Sequence, residues 1–95
     1  MKISKEIKKI KQKLIPLLND YLGEKPDYLS IGIEFLDHEN IWQVVPVYEI
    51  SGRGHPEYID FRTPNGIILH GQGINLTSAI RNLLYNINLF QLLRN

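Results

Sequence analysis

The chain has 95 residues, 11 lysines and arginines against 10 acids, and 43% apolar residues. That is the length of one domain and the composition of an ordinary packed fold, too apolar for intrinsic disorder. It contains no cysteine, which excludes disulfides, thiolate metal sites, iron–sulfur clusters and thiol catalysis together.

The formal net charge of +1 hides an uneven layout. Residues 1–13 carry six lysines against Glu6, a local +5. Residues 14–60 carry nine acids against Lys25 and Arg53, a local −7, and residues 61–95 carry three arginines and no acid. A basic end on an acidic middle can steer a partner, bind a polyanion or pair with itself. The first ten residues are broken by charge every two or three positions, without the unbroken apolar stretch of about 7–15 residues that a signal peptide needs. The longest uncharged run, Thr63 to Ile80, carries Pro64, Asn65, three glycines, His70, Gln72 and Asn75 and does not read as a membrane span. With the missing cysteines, this predicts a cytoplasmic protein with no membrane partner.

Taken in chain order, Ile3, Ile7, Ile10, Leu14, Leu17 and Tyr21 form a helical stripe with lysines on the other faces, predicting a helix over about 2–22. Pro16 removes a backbone donor, so a kink or break is expected near Ile15; Gly23 suits the C-cap. Leu29 to Phe35 alternates strictly, the pattern of a strand with one buried face. Asp37-His38-Glu39-Asn40 reads as a turn. Ile41 to Ile50 is a second strand in which Pro46 marks an edge or a bulge. Ser51 to Pro56 is a loop, Glu57 to Thr63 alternates again, Pro64-Asn65-Gly66 is a strong hairpin turn, and Ile67 to His70 closes the hairpin before Gly71-Gln72-Gly73 ends the sheet. The last element, about 76–93, is a helix capped by Asn75, Thr77 or Ser78. It is apolar on more than one face, so it must bury more than one face. The expected fold is α+β: a two-layer α-β-β-β-β-α domain, with both terminal helices packed on one face of an antiparallel four-stranded meander sheet.

Candidate chemistry is sparse. Asp37, His38 and Glu39 are neighbours in a turn, so their side chains point apart and predict no metal site without further ligands. His70 ends a strand and is of the residue type that most often serves as a general base, but spacing places no serine, acid or second histidine beside it. Gly71-Gln72-Gly73 before a helix has the look of a phosphate cradle, without the third glycine of a dinucleotide fingerprint or the Gly-Lys-Ser/Thr of a P-loop. Arg53 and His55, in a Gly-rich loop, and Lys5 and Lys9, on the basic helix, are the candidate anion-binding residues.

The helix–meander–helix order resembles that of double-stranded-RNA-binding domains, and Gly71-Gln72-Gly73 followed by a helix holding Ala79 is similar to their strand-to-helix junction. That family's second helix opens with a phosphate-gripping lysine cluster, where this chain has Thr77, Ser78, Ile80 and Arg81. The same stretch looks like small HicB-type antitoxin domains, and the first half, through Trp42, is similar to XisI-type excision-controlling proteins. These resemblances imply a nucleic-acid-binding or regulatory protein using the lysine-rich first helix.

The residues themselves favour a different expectation: a non-enzymatic protein-binding module such as an adaptor, assembly factor, immunity protein or inhibitor, with no cofactor and no metal. Its partner is another protein or a second copy. The expected interface joins Ile80, Leu84, Ile87 and Phe90 on the last helix with Tyr58 and Arg62 on the outer sheet face, since exposed tyrosine and arginine are favoured anchors.

Overall fold

The computed structural model describes residues 3–22, 28–50, 57–63 and 66–94. Helix α1 spans Ile3–Leu22, β1 spans Tyr28–Leu36, β2 spans Ile41–Ile50, β3 spans Glu57–Asp60, β4 spans Gly71–Gly73 and α2 spans Leu76–Arg94. The periodicity of the sequence therefore places both helices and the two long strands within a residue or two.

Strand β2 is the centre of the sheet. On one side it pairs antiparallel with β1 over the whole length of β1, from Tyr28 opposite Glu49 to Leu36 opposite Ile41. The turn between them closes by a backbone bond, Glu39 N–H to the Leu36 carbonyl at 3.2 Å, with Asn40 in the left-handed region at φ 55°, a conformation that asparagine tolerates well.

The other side of β2 departs from the expected four-stranded meander. Strand β3 pairs with Val47 to Ile50, and β4 pairs with Trp42 to Val44. The two short strands lie end to end along one edge of β2, so the sheet is three strands wide. The segment between them leaves the sheet as a small hairpin. Phe61 N–H still reaches the Pro46 carbonyl at 3.1 Å, but Leu69 N–H then bonds Phe61 at 2.8 Å and Thr63 N–H bonds Ile67 at 2.9 Å, with a single bridge between Arg62 and Ile68. The expected strand Ile67 to His70 is the returning arm of that hairpin, and the glycines expected to end the sheet are themselves the strand β4.

One face of the sheet carries the core. Ile10, Leu14, Leu17 and Leu18 from α1 and Ala79, Ile80, Leu83 and Ile87 from α2 are buried with Val44, Phe61 and Leu69. Leu29, Ile31, Trp42 and Tyr48, in phase with Val44 along β1 and β2, pack against them. Of the kink or break expected near Ile15, the break does not occur: helix α1 runs through Pro16 from Ile3 to Leu22. Pro16 is on the solvent side, where water can take over the carbonyl that loses its intrahelical donor. At the other end, the Asn75 side-chain oxygen accepts the Ser78 N–H at 2.8 Å, which makes Asn75 the N-cap of α2.

The contact that fixes α2 is with backbone. A Cβ added at Gly71 would run into the Ala79 carbonyl and the Leu83 N–H of α2, with the Leu83 Cβ at 2.6 Å; one added at Gly73 would lie 2.7 Å from the Ala79 nitrogen and from the Ser78 Cβ. Helix α2 therefore rests directly on the β4 main chain, a separation open only to glycine. At Gly32 in β1, by contrast, a Cβ meets only the Val45 carbonyl oxygen, at 3.4 Å.

These positions predict opposite outcomes for one chemical change. Gly71→Ala forces the helix off the sheet and is expected to destabilise by about 3 kcal/mol or more, at the upper end of overpacking costs. Gly32→Ala should be neutral or stabilising by up to about 1 kcal/mol, because a strand-interior glycine loses backbone entropy on folding. Urea unfolding of the two variants checks both signs.

Burial raises the Tyr48 phenol pKa above its ordinary 10.0. The folded state thus keeps a proton that the unfolded chain has begun to release, so the stabilisation is full below pH 10 and falls as pH rises through the folded-state value. Tyr48→Phe should flatten the loss of stability on the alkaline side, measured by denaturant midpoints across that range.

Candidate functional site

The two-layer build sorts the expected interface residues into different places. Ile80 and Ile87 are fully buried in the core, and Leu84 and Phe90 pack against it. Phe90 meets Phe61 edge to face, with ring centroids 6.4 Å apart. All four therefore hold α2 to its own domain. Arg62 is exposed, but its Nη1 donates to the Gly66 carbonyl at 3.2 Å, stapling the hairpin turn. Tyr58 lies opposite Glu49 in the register; its side chain is outside the described residues, as are Arg53 and His55. Residues on the outer sheet face and residues on the outward side of α2 stand on opposite sides of the domain, so they do not form one patch.

What α2 turns outward is a different set. Tyr85, Leu89, Leu92 and Leu93 are 65%, 40%, 74% and 76% exposed. Their spacing of i, i+4, i+7 and i+8 makes a second apolar stripe on the helix. The sequence signal was present, because an all-round apolar helix implies two covered faces. Which residues belong to which face depends on the seating of α2 on Gly71 and Gly73, and periodicity alone cannot read that.

Two asparagines tie α2 to the same strand. Asn82 Nδ2 donates to the Gln72 carbonyl at 2.5 Å and Asn86 Nδ2 to the His70 carbonyl at 2.7 Å. Their one-turn spacing matches the two-residue repeat of the strand carbonyls, since four helical residues and two strand residues both advance about 6 Å. The space beyond Gly71-Gln72-Gly73 is filled by the first turns of α2, so the glycines form a helix seat with no room for a phosphate.

The outer sheet face carries a shallow groove of about 480 Å³, floored by Val45 and Val47 and bordered by Glu34, Asp60 and His70. A chain of side-chain amides crosses it: Gln72 Nε2 donates to Gln43 Oε1, and Gln43 Nε2 donates to Glu34 Oε1, both at 2.7 Å. This ladder spans three strands and orients Glu34. Among the described residues no three of His, Asp or Glu gather closely enough to hold a metal ion.

The basic helix is only partly free. Lys9 Nζ lies 3.6 Å from Glu6, and Lys13 Nζ donates to Asn88 on α2 at 2.9 Å. Lys5 and Lys8 are exposed. Among the described residues no helix is long and apolar enough to cross a membrane.

Compared with protein-family models, curated proteins and solved structures, the chain matches none of them. The resemblances to RNA-binding and antitoxin domains thus rest on element order and the junction before α2, which is occupied by packing, and that to excision-controlling proteins on the first half through Trp42.

Removing Asn82 and Asn86 by alanine substitution should cost about 1 kcal/mol each, the usual worth of a partly exposed hydrogen bond. The loss should appear first as faster amide hydrogen exchange in residues 70–73, ahead of β1 and β2.

Proposed function

We propose that this is a small cytoplasmic protein-binding domain, without catalytic activity of its own, that engages its partner through the outward face of α2. The observation that carries the reading is the stripe of Tyr85, Leu89, Leu92 and Leu93, which stands in solvent on the side of α2 away from the packed core. Isolated surface leucines are common, but a contiguous apolar row on one helix marks an interaction site. Its spacing is that of a helix laid into an apolar groove, read by anchors one and two turns apart. Tyr85 adds an amphipathic ring of the kind enriched at binding hot spots. An adaptor, assembly factor, immunity protein or inhibitor would use such a face.

The reading also accounts for the charge layout. The acidic stretch over residues 14–60 repels a nucleic-acid backbone, and two lysines of α1 are already engaged within the domain. Recognition by an apolar stripe needs neither.

The test is native mass spectrometry after gentle purification from the source, comparing the natural chain with a Tyr85→Glu, Leu92→Glu variant. Both substituted positions are exposed, so circular dichroism should be unchanged. A protein partner retained by the natural chain and lost by the variant is the expected result. A natural chain that travels with no protein other than copies of itself, or a complex with a different protein that is indifferent to the variant, contradicts the reading. Co-purifying nucleic acid whose binding falls steeply with salt would favour the basic-helix alternative instead.

A further inference from the structure

The three outer edges of the sheet are not treated alike. At β4 the Gln72 carbonyl is met by Asn82 and the carbonyl of His70, just before the strand, by Asn86, and β3 gives way to the hairpin over residues 61–69. Strand β1 has β2 as its one strand neighbour among the described residues. It is nine residues long, carries a single charge, Glu34, and contains no proline or bulge. Long, flat, weakly charged edges are the ones on which another strand adds.

The sequence of β1 says which strand. Read outward from Gly32, Tyr28–Leu36 has mirror hydropathy. Ile31 mirrors Ile33, Ser30 mirrors Glu34, Leu29 mirrors Phe35, and Tyr28 mirrors Leu36. An antiparallel pair of two such strands centred on Gly32 uses all nine residues. It sets Ile33 against Ile31 and Phe35 against Leu29 on the helix side, and Glu34 against Ser30 on the other. Ile33 and Phe35 are 43% and 42% exposed although they lie in phase with buried Val44, so the face they belong to is unfinished at this edge. Moving the centre to position 34 sets two Glu34 carboxylates directly opposite, an unfavourable pair. We propose that β1 pairs antiparallel with β1 of a second copy, centred on Gly32, forming a two-fold symmetric dimer with one continuous sheet six strands wide. A self-complementary patch on a two-fold axis is the commonest form of homodimer interface. This dimer uses the sheet edge, not α2, and stands independently of the partner-binding face.

The absence of cysteine from the chain allows a direct register test. In the dimer, Gly32→Cys places two thiols on the axis, with Cα atoms about 4.5–5.5 Å apart, within the range that a disulfide spans. A Cβ at Gly32 meets only the Val45 carbonyl oxygen, at 3.4 Å, an ordinary contact that accommodates the new side chain. Sedimentation equilibrium of the natural chain over a concentration series should show a monomer–dimer exchange. Under mild oxidation Gly32→Cys should cross-link at least about tenfold faster than Asn19→Cys, an exposed position on α1 that serves as the background for exposed thiols. Ser30→Cys and Glu34→Cys should cross-link with each other when mixed and remain at background when oxidised separately. A chain that stays monomeric throughout overturns the proposal. So does a Gly32→Cys rate equal to that of Asn19→Cys, or a Ser30→Cys sample that links to itself as fast as to Glu34→Cys. The Tyr85→Glu, Leu92→Glu variant should dimerise as the natural chain does; loss of the dimer there would assign self-association to α2 and contradict the edge.

Discussion

The fold depends on a helix lying against bare backbone. Because positions 71 and 73 have no side chains, α2 approaches β4 until Ala79 and Leu83 meet the strand's main chain. That approach brings Asn82 and Asn86 within reach of the Gln72 and His70 carbonyls and fixes the rotation of α2 about its axis. With the rotation fixed, Ile80, Leu83 and Ile87 face Leu14, Leu18 and Val44 in the core, and Tyr85, Leu89, Leu92 and Leu93 face water. The same two glycines therefore decide what stabilises the domain and what it offers to other molecules.

Regular periodicity made most of the architecture legible. The 3.6-residue stripe of α1 and the strict alternation of β1 come from faces that are buried once, and such faces leave a clean signature. β2 was legible for a different reason: seven of its ten residues are β-branched or aromatic. The third row of the sheet was not legible. Gly71-Gln72-Gly73 has no strand propensity, and it is a strand because β2 and α2 hold it from two sides. Assigning the hairpin arms around Pro64-Asn65-Gly66 to the sheet was the natural reading of alternation, yet after Phe61 the chain pairs with itself. Pro16 misled in the other direction, because its cost depends on whether the abandoned carbonyl can reach water.

The candidate site was half legible for a related reason. An α2 with no charge between Arg81 and Arg94 announced that it needed two apolar surroundings, and the structure supplies one of them. Helical spacing cannot distinguish Ile80 and Ile87 from Leu92 and Leu93, since both pairs sit on plausible faces. The interface expected from sequence mixed residues of the core with residues of the far side of the sheet, and the layering separates them. Among the described residues, three exposed surfaces differ in chemistry: the apolar stripe of α2, the outer edge of β1, and the outer groove with its Gln72–Gln43–Glu34 ladder. The first two present apolar side chains and an unpaired strand edge, and the third is polar and oriented.

The central claim is that the glycine seat sets which face of α2 is covered. Single-cysteine labelling along α2 measures this most directly, because the chain has no thiol of its own. Variants carrying cysteine at 79, 83 and 87 should react with a water-soluble thiol reagent orders of magnitude more slowly than variants carrying it at 85, 89 and 92, with the contrast lost in urea. Equal reactivity around the helix, or protection at 85, 89 and 92 in the monomer, would contradict the account.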